Sequence, residues 1–192
     1  MARTKEFDET EVLDQALELF RARGFKHTSF EDLTQQLGVS RQSLYDTYGD
    51  KQTLYHTALK RYLDRSLEAI RAKLDDPAPI RELLAGLFEG MIAGNCSKGS
   101  PGCLMVNSMV EQAPHDAEIR ALAQVHARGI EGLFSSRLSE AQRKGEIDRT
   151  RDPVALARFF YHTMLGLSVA SRALNERDSL RDSVRIALQV LG

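Results

Sequence analysis

Several features are scarce in this chain, and each scarcity closes off a class of explanation. Proline occurs five times in 192 residues, and long stretches rich in Ala, Leu, Glu, Arg and Gln lack the alternating Val, Ile and Thr of strands, so the chain reads as mainly helical. Cysteine occurs twice, as Cys96 and Cys103, too few for a disulfide scaffold, and a reducing compartment keeps such residues as thiols. No segment reaches the roughly 18 uninterrupted apolar residues of a membrane span, and no apolar run follows the basic residues of the first segment, from Met1 to Leu13. The expectation is a cytoplasmic protein with no membrane partner. Asn95-Cys96-Ser97 matches the N-glycosylation pattern, but without a secretory signal the match has no chemical consequence. Charge of one sign is also lacking. Twenty-six Lys and Arg stand against 27 Asp and Glu, a formal net charge of −1, which argues against a broad basic field that coats nucleic acid. Residues 1–50 carry six basic against ten acidic side chains, a balance of −4. Any contact with nucleic acid must therefore be local.

What is present is a globular composition, 42% hydrophobic and 28% charged, enough to bury a sizeable core. The fold class expected is all-α, with about nine helices. From Asp8 to Arg23, Val12, Leu13, Ala16, Leu17, Leu19 and Phe20 recur at helical spacing, and Gly24 closes the helix. Ser29 with Asp32 three residues on is close to a capping box, and Phe30, Leu33 and Leu37 follow on one face until Gly38. Ser40 caps a third helix through Tyr48, and Gly49-Asp50 breaks it and caps a fourth beginning at Lys51. That fourth helix runs on to about residue 75, where Asp75-Asp76-Pro77 ends it, and looks like a connecting strut. Further helices are expected over Ile80–Ala93, Leu104–Glu111, Asp116–Lys144, Pro153–Leu174 and Leu180–Leu191. No internal repeat or low-complexity tract occurs.

The second and third helices are joined through Gly38 by a turn of about four residues, the spacing of a helix-turn-helix. The segment TSFEDLTQQLGVSRQSLYDTYGDKQTLY adds a more specific pattern: Thr28-Ser29, Gly38-Val39-Ser40, Leu44-Tyr45, Tyr48, Gly49-Asp50 and Lys51. Here the chain resembles the TetR family of transcriptional regulators, closely over about residues 7–60. The resemblance implies DNA binding by residues 1–50, with a helical ligand-binding and dimerisation part over 76–192.

The individual residues suit such a role. Leu44 faces a small core with Leu33, Leu37 and Phe20, which turns Arg41, Gln42 and Ser43 outward on the first turn of a recognition helix. Arg pairs with guanine and Gln with adenine in bidentate fashion. Tyr45 and Tyr48 offer hydroxyls to phosphate oxygens, and Lys51 offers charge beside a helix amino end. Thr28 and Ser29 stand at another helix start, and Ser40 and Thr47 complete the candidate DNA contacts. Asp46 departs from the family pattern; it either accepts from cytosine or weakens contact with the backbone. Arg3 and Lys5 resemble basic arms that reach DNA. The plainer reading makes Tyr45 and Tyr48 amphipathic core residues, Arg41 a solvated one, and the terminus a loose end.

Beyond residue 76 the family resemblance is architectural. It implies a ligand pocket and a homodimer interface built from the last two helices. The Pro153–Leu174 segment carries Phe159, Phe160, Met164, Leu165, Leu167 and Val169 with Gly166 and Ser168, apolar on more than one side. One face suits the monomer core and another a partner, as in a four-helix dimer bundle; a central core helix in a monomer is the alternative. Phe88, Met91, Met105, Met109, Phe134, Phe160 and Met164 either line an adaptable cavity or simply pack. Cys103, Asn107 and His126 are the polar candidates for the pocket. Pro101 to Ser108 resembles a Gly-Cys-Leu segment of a TetR subgroup, some of whose members sense reactive or oxidising compounds. A cysteine in a helix first turn can have a lowered pKa and react as thiolate, or be an ordinary buried thiol. Cys96, seven residues away, leaves a reversible disulfide open.

His126 and His162 have no metal-binding spacing, and no cofactor is expected. No nucleophile–base pair, Gly-rich phosphate loop or pair of carboxylates stands at a catalytic spacing, so the chain is not expected to be an enzyme. Two competing readings remain: a helical enzyme or ligand carrier, and a ligand-free architectural DNA binder. The favoured one is a repressor that holds a palindromic operator as a dimer until a small molecule releases it.

Overall fold

The computed structural model describes residues 7–192, and among them the chain is all-α. Arg3 and Lys5 lie outside the described residues. The helices are α1 (Glu9–Arg23), α2 (Phe30–Leu37), α3 (Arg41–Tyr48), α4 (Lys51–Leu74), α5 (Ile80–Asn95), α6 (Leu104–Glu111), α7 (Ala117–Lys144), α8 (Pro153–Ala173) and α9 (Arg177–Ala187), with a 3₁₀ turn over Leu188–Leu191. The chain divides into two compact units, one ending at Asp64 and the other running from Arg65 to Gly192. The division falls inside α4, which begins in the first unit and ends in the second.

In the first unit, short helices start where a side chain can answer their unpaired N–H groups. Asp8 accepts from the Thr10 and Glu11 amides, Ser29 from Asp32, and Ser40 from Ser43. The Ser29 cap is reciprocal, because the Asp32 carboxylate also accepts from the Ser29 backbone N–H at 2.8 Å; the Ser29 hydroxyl and amide bonds hold the Asp32 pKa below its usual value. Gly38 ends α2 in the left-handed region, φ 63° and ψ 22°. A Cβ there would meet nothing within 4 Å, so the requirement for glycine is torsional, about 1–2 kcal/mol for an L-residue. Behind these turns lie Val12, Leu17, Phe20, Leu33, Leu44 and Leu54, all buried. The Phe20 ring meets the edge of Tyr55 at 4.9 Å and 87°.

In the second unit, α7 and α8 pack along one another most extensively, with α5 and α9 against α8. The core contains Phe88 of α5, Ile130 and Phe134 of α7, Phe160 of α8 and Leu180 of α9. The α4 residues Leu67 and Ile70 pack on its margin. A Cβ on Gly129 of α7 would come within 2.9 Å of the Leu67 side chain, so glycine permits α4 and α7 to approach closely here. The last helix begins at Arg177, three residues ahead of the expected Leu180, because Glu176 supplies no side-chain cap and leaves the start unmarked in the sequence.

Candidate functional site

The exposed face of α3 is a small polar surface whose members restrain one another. Leu44 and Tyr48 are buried, which leaves Arg41, Gln42, Tyr45 and Asp46 exposed. The Tyr45 ring stacks on Phe30 of α2, centroids 4.4 Å apart at 16°. The Arg41 guanidinium lies over both rings, 5.8 Å from Phe30 and 5.6 Å from Tyr45, an arrangement that holds a cation at the start of the helix without neutralising it. Gln42 Nε2 donates to Asp46 Oδ1 at 2.7 Å. The Ser40 and Ser43 hydroxyls bond each other at 2.8 Å, and Thr47 is half-buried.

Three residues expected on this surface are turned inward. Lys51 Nζ donates to the carbonyls of Phe25 and Thr28 at 3.0 and 2.9 Å and sits 4.2 Å from the centroid of the Phe25 ring. Partial burial lowers its pKa. Instead of standing free at the amino end of α4, it clamps the turn between α1 and α2. Thr28 is fully buried and its hydroxyl donates to Gly24 O at 2.8 Å. Tyr48 donates to the Glu9 carbonyl at 3.2 Å, and burial, aided by the charges of Glu9 and Asp8, pushes its pKa up to about 12. Tyr48 thus follows the plainer core reading, whereas Tyr45 keeps 41% of its surface exposed. The Ser29 hydroxyl lies in the capping box of α2.

The second unit contains a cleft of about 350 Å³ between α6 and α8, lined by Cys103, Val106, Asn107, Val110 and Glu111 on one side and Ser168, Val169, Arg172 and Ala173 on the other. Of the expected pocket residues it gathers only Cys103 and Asn107. Phe88 and Phe160 are fully buried in the packed core, with Met91 and Met164 against its edge. There the Phe88 and Phe160 ring centroids lie 6.2 Å apart. Met109 is half-buried and His126 buried, and neither lines this cleft.

Two family descriptions cover most of the chain. Residues 12–58 match "Bacterial regulatory proteins, tetR family" and residues 80–187 match "Tetracyclin repressor-like, C-terminal domain". The chain belongs to the TetR family. It is similar over its whole length to the HTH-type transcriptional regulator YezE of Bacillus subtilis, with 36% identity and all of both chains covered. The HTH-type transcriptional repressor ComR of Escherichia coli is 31% identical, over 96% of this chain and 88% of that one. Among solved structures, a cysteine mutant of the TetR-family regulator CifR, complexed with 26-base-pair operator DNA, has a TM-score of 0.85 at 29% identity. That alignment covers 99% of this chain and all of the other.

For a TetR-family helix-turn-helix regulator, α2 and α3 are the expected reading element, and the exposed groups found on α3 supply what base edges need: donors on Arg41, both kinds on Gln42, acceptors on Asp46. Reasoning from sequence missed the Phe30–Tyr45–Arg41 stack, although an aromatic at the start of one helix and another near the end of the next was its signal. It also missed Ser168 and Arg172 as cleft residues. Their spacing of four places them on one face of α8, but nothing local says what faces them. No helix among the described residues is long and apolar enough to cross a membrane, and no group of three or more metal-ligating side chains gathers among them.

Proposed function

We propose that this TetR-family protein is a cytoplasmic repressor which reads a palindromic operator as a homodimer and lets go when a small molecule occupies its second unit. The observation that carries the reading is the exposed face of α3, where Arg41 is held over two aromatic rings and Gln42 by Asp46, with no ion pair to Arg41 among the described residues. Arg41 engages guanine and Gln42 an adjacent base, each contact worth about 1–3 kcal/mol of discrimination. Ser43, Tyr45 and Thr47, with the amides at the start of α4, contact phosphates and set the register. Lys51, Thr28 and Tyr48 support this surface from behind.

Dimerisation is favoured by the apolar side chains that the second unit leaves exposed: Val154, Phe159 and Val169 on α8, Leu174 just after it, and Ile186 on α9. Two such helices from each of two copies make a four-helix interface, and a two-fold pair of α3 helices meets half-sites about 34–36 Å apart. The effector occupies the cleft between α6 and α8, whose volume of about 350 Å³ falls within the range of small-molecule sites. It releases DNA by binding the conformer that cannot span the two half-sites more tightly than the one that can, since equal affinity shifts nothing. The Cys103 thiol, half-buried in that cleft, offers a covalent route. Its thiolate adds to the β-carbon of an enone, the C–S bond forms as the C=C π bond breaks, and the α-carbon takes a proton.

The test of the DNA reading is Arg41→Ala in a binding assay against the operator and against single-base variants. Loss of preference at one position in each half-site, with other positions kept, is expected. Unchanged binding to every variant would show that α3 does not face the bases.

A further inference from the structure

The bond between Gln42 and Asp46 restricts what Gln42 can read. A glutamine amide can normally turn over, presenting either its oxygen or its nitrogen outward, because the two ends are alike in shape. A carboxylate accepts and cannot donate, so the 2.7 Å contact from Gln42 Nε2 to Asp46 Oδ1 admits only one of the two orientations. The nitrogen is drawn toward Asp46, and Gln42 Oε1 faces away from it. Asp46 Oδ2 stands beside them as a further acceptor. Both side chains are exposed, one turn apart on α3.

We infer that Asp46 is a positioning residue which fixes Gln42 Oε1 outward as an acceptor, so that this end of α3 selects the amino-bearing bases adenine and cytosine over guanine and thymine. The inference rests on the reading that α3 enters the major groove. There adenine N6 and cytosine N4 are donors, whereas guanine O6, thymine O4 and the N7 of both purines are acceptors. Gln42 Oε1 and the Asp46 carboxylate accept from the amino groups and leave guanine O6 or thymine O4 in the same place facing an unpaired like group, while the second Nε2–H of Gln42, not used by Asp46, is left for adenine N7. Arg41, which only donates, is kept apart from this region by its hold on the Phe30–Tyr45 stack. The face is thereby divided into a donor part that selects guanine and an acceptor part that selects amino groups. The second carboxylate oxygen also carries charge toward a polyanion, so this arrangement gives up general affinity for discrimination.

The experiment is selection from a random duplex pool with the full-length protein and with Asp46→Asn and Gln42→Ala, followed by binding measurements on the recovered sites. Wild type should enrich adenine or cytosine at one position of each half-site, and Gln42→Ala should lose that preference. Asp46→Asn, nearly the same size but able to donate, frees the amide to turn. Discrimination at that single position should fall by about tenfold or more, the Arg41 position should be unaffected, and affinity for unrelated DNA should rise. A purely structural Asp46 would alter thermal stability or lower all binding evenly without changing one position. Asp46→Asn retaining the wild-type preference at every position would overturn the inference while leaving the DNA reading intact. Guanine or thymine enriched by wild type at the Gln42 position would overturn it too. If wild type enriches no sequence, both this inference and the proposed function fall.

Discussion

The two units secure their helix ends in different ways. In the first, the N-termini of α1, α2, α3 and α4 are answered from two or three residues away: Asp8 for Thr10, Ser29 for Asp32, Ser40 for Ser43 and Asp50 for Thr53. In the second, Asp116 and Asp152 cap α7 and α8 in the same local way, whereas α5, α6 and α9 begin without any side-chain cap bond from their N-cap residues. Around α5 and α9 the support comes from far along the chain. Glu146 accepts from Ile80 N at 2.7 Å across 66 residues, and Arg137 donates to Ala78 O at 2.6 Å across 59. Arg177 reaches the Cys96 carbonyl across 81, and Arg181 pairs with Glu89 across 92. Local caps define a rigid small surface, which suits a fixed set of base contacts. Long-range pins hold a bundle whose parts depend on one another, and a bundle of that kind has more than one way to repack when a ligand enters.

The sharpest way to break this contrast is Arg137→Ala. Arg137 is buried, and its removal leaves the Ala78 carbonyl without its donor where α4 leads into α5. We expect a loss of about 1–3 kcal/mol, read from denaturant unfolding, with faster amide exchange across residues 65–192 and unchanged exchange in α1 to α3. A loss below about 0.5 kcal/mol, or equal acceleration in both units, would mean that the long-range pin is not what steadies the second unit. Ser29→Ala, the matching change in the first unit, should cost about 1 kcal/mol and accelerate exchange in α2 alone. The same cap carries a pH dependence. Because the Asp32 pKa is lowered on folding, its stabilisation is present above pH 3.8, the ordinary value, and fades as pH falls through the lowered one.

A smaller effect sharpens the comparison further, because burial raises the pKa of a tyrosine in each unit to about 12: Tyr48 in the first, Tyr161 in the second. The Tyr48 hydroxyl has the Glu9 carbonyl as its acceptor, whereas the buried Tyr161 hydroxyl has no hydrogen-bond partner among the described residues. Tyr48→Phe should therefore cost about 1 kcal/mol and Tyr161→Phe nothing, or stabilise slightly. Both residues bind their protons more tightly folded than unfolded, so the wild type should lose stability as pH rises from 10 toward 12. A phenolate absorbance titration in which Tyr48→Phe and Tyr161→Phe leave the high-pH step unchanged would contradict these assignments.

The same contrast explains what was legible in the sequence. The Ser29–Asp32 cap, the Gly38 turn and the bounds of α3 depend on residues three or four apart, and their types announce the structure. The fate of Lys51 depends on carbonyls 23 and 26 residues away, and lysine at a helix start looks alike whether it points at phosphate or folds back. The α8 pattern showed that the helix has more than one apolar side. Which of its residues meet α6 across the cleft, and which face outward, is set by tertiary packing that periodicity does not encode. For Phe88 and Phe160 composition leaves both readings open, since an aromatic in a packed core and one lining a cavity look the same.

The most direct test of the central claim, that α3 reads a defined operator in a two-fold arrangement, is selection of bound DNA from a random duplex pool by the wild-type protein at near-physiological salt. Recovery of one palindrome whose half-sites lie about one helical turn apart is the expected result. Binding that weakens evenly with salt and enriches no sequence at any concentration tested would contradict it.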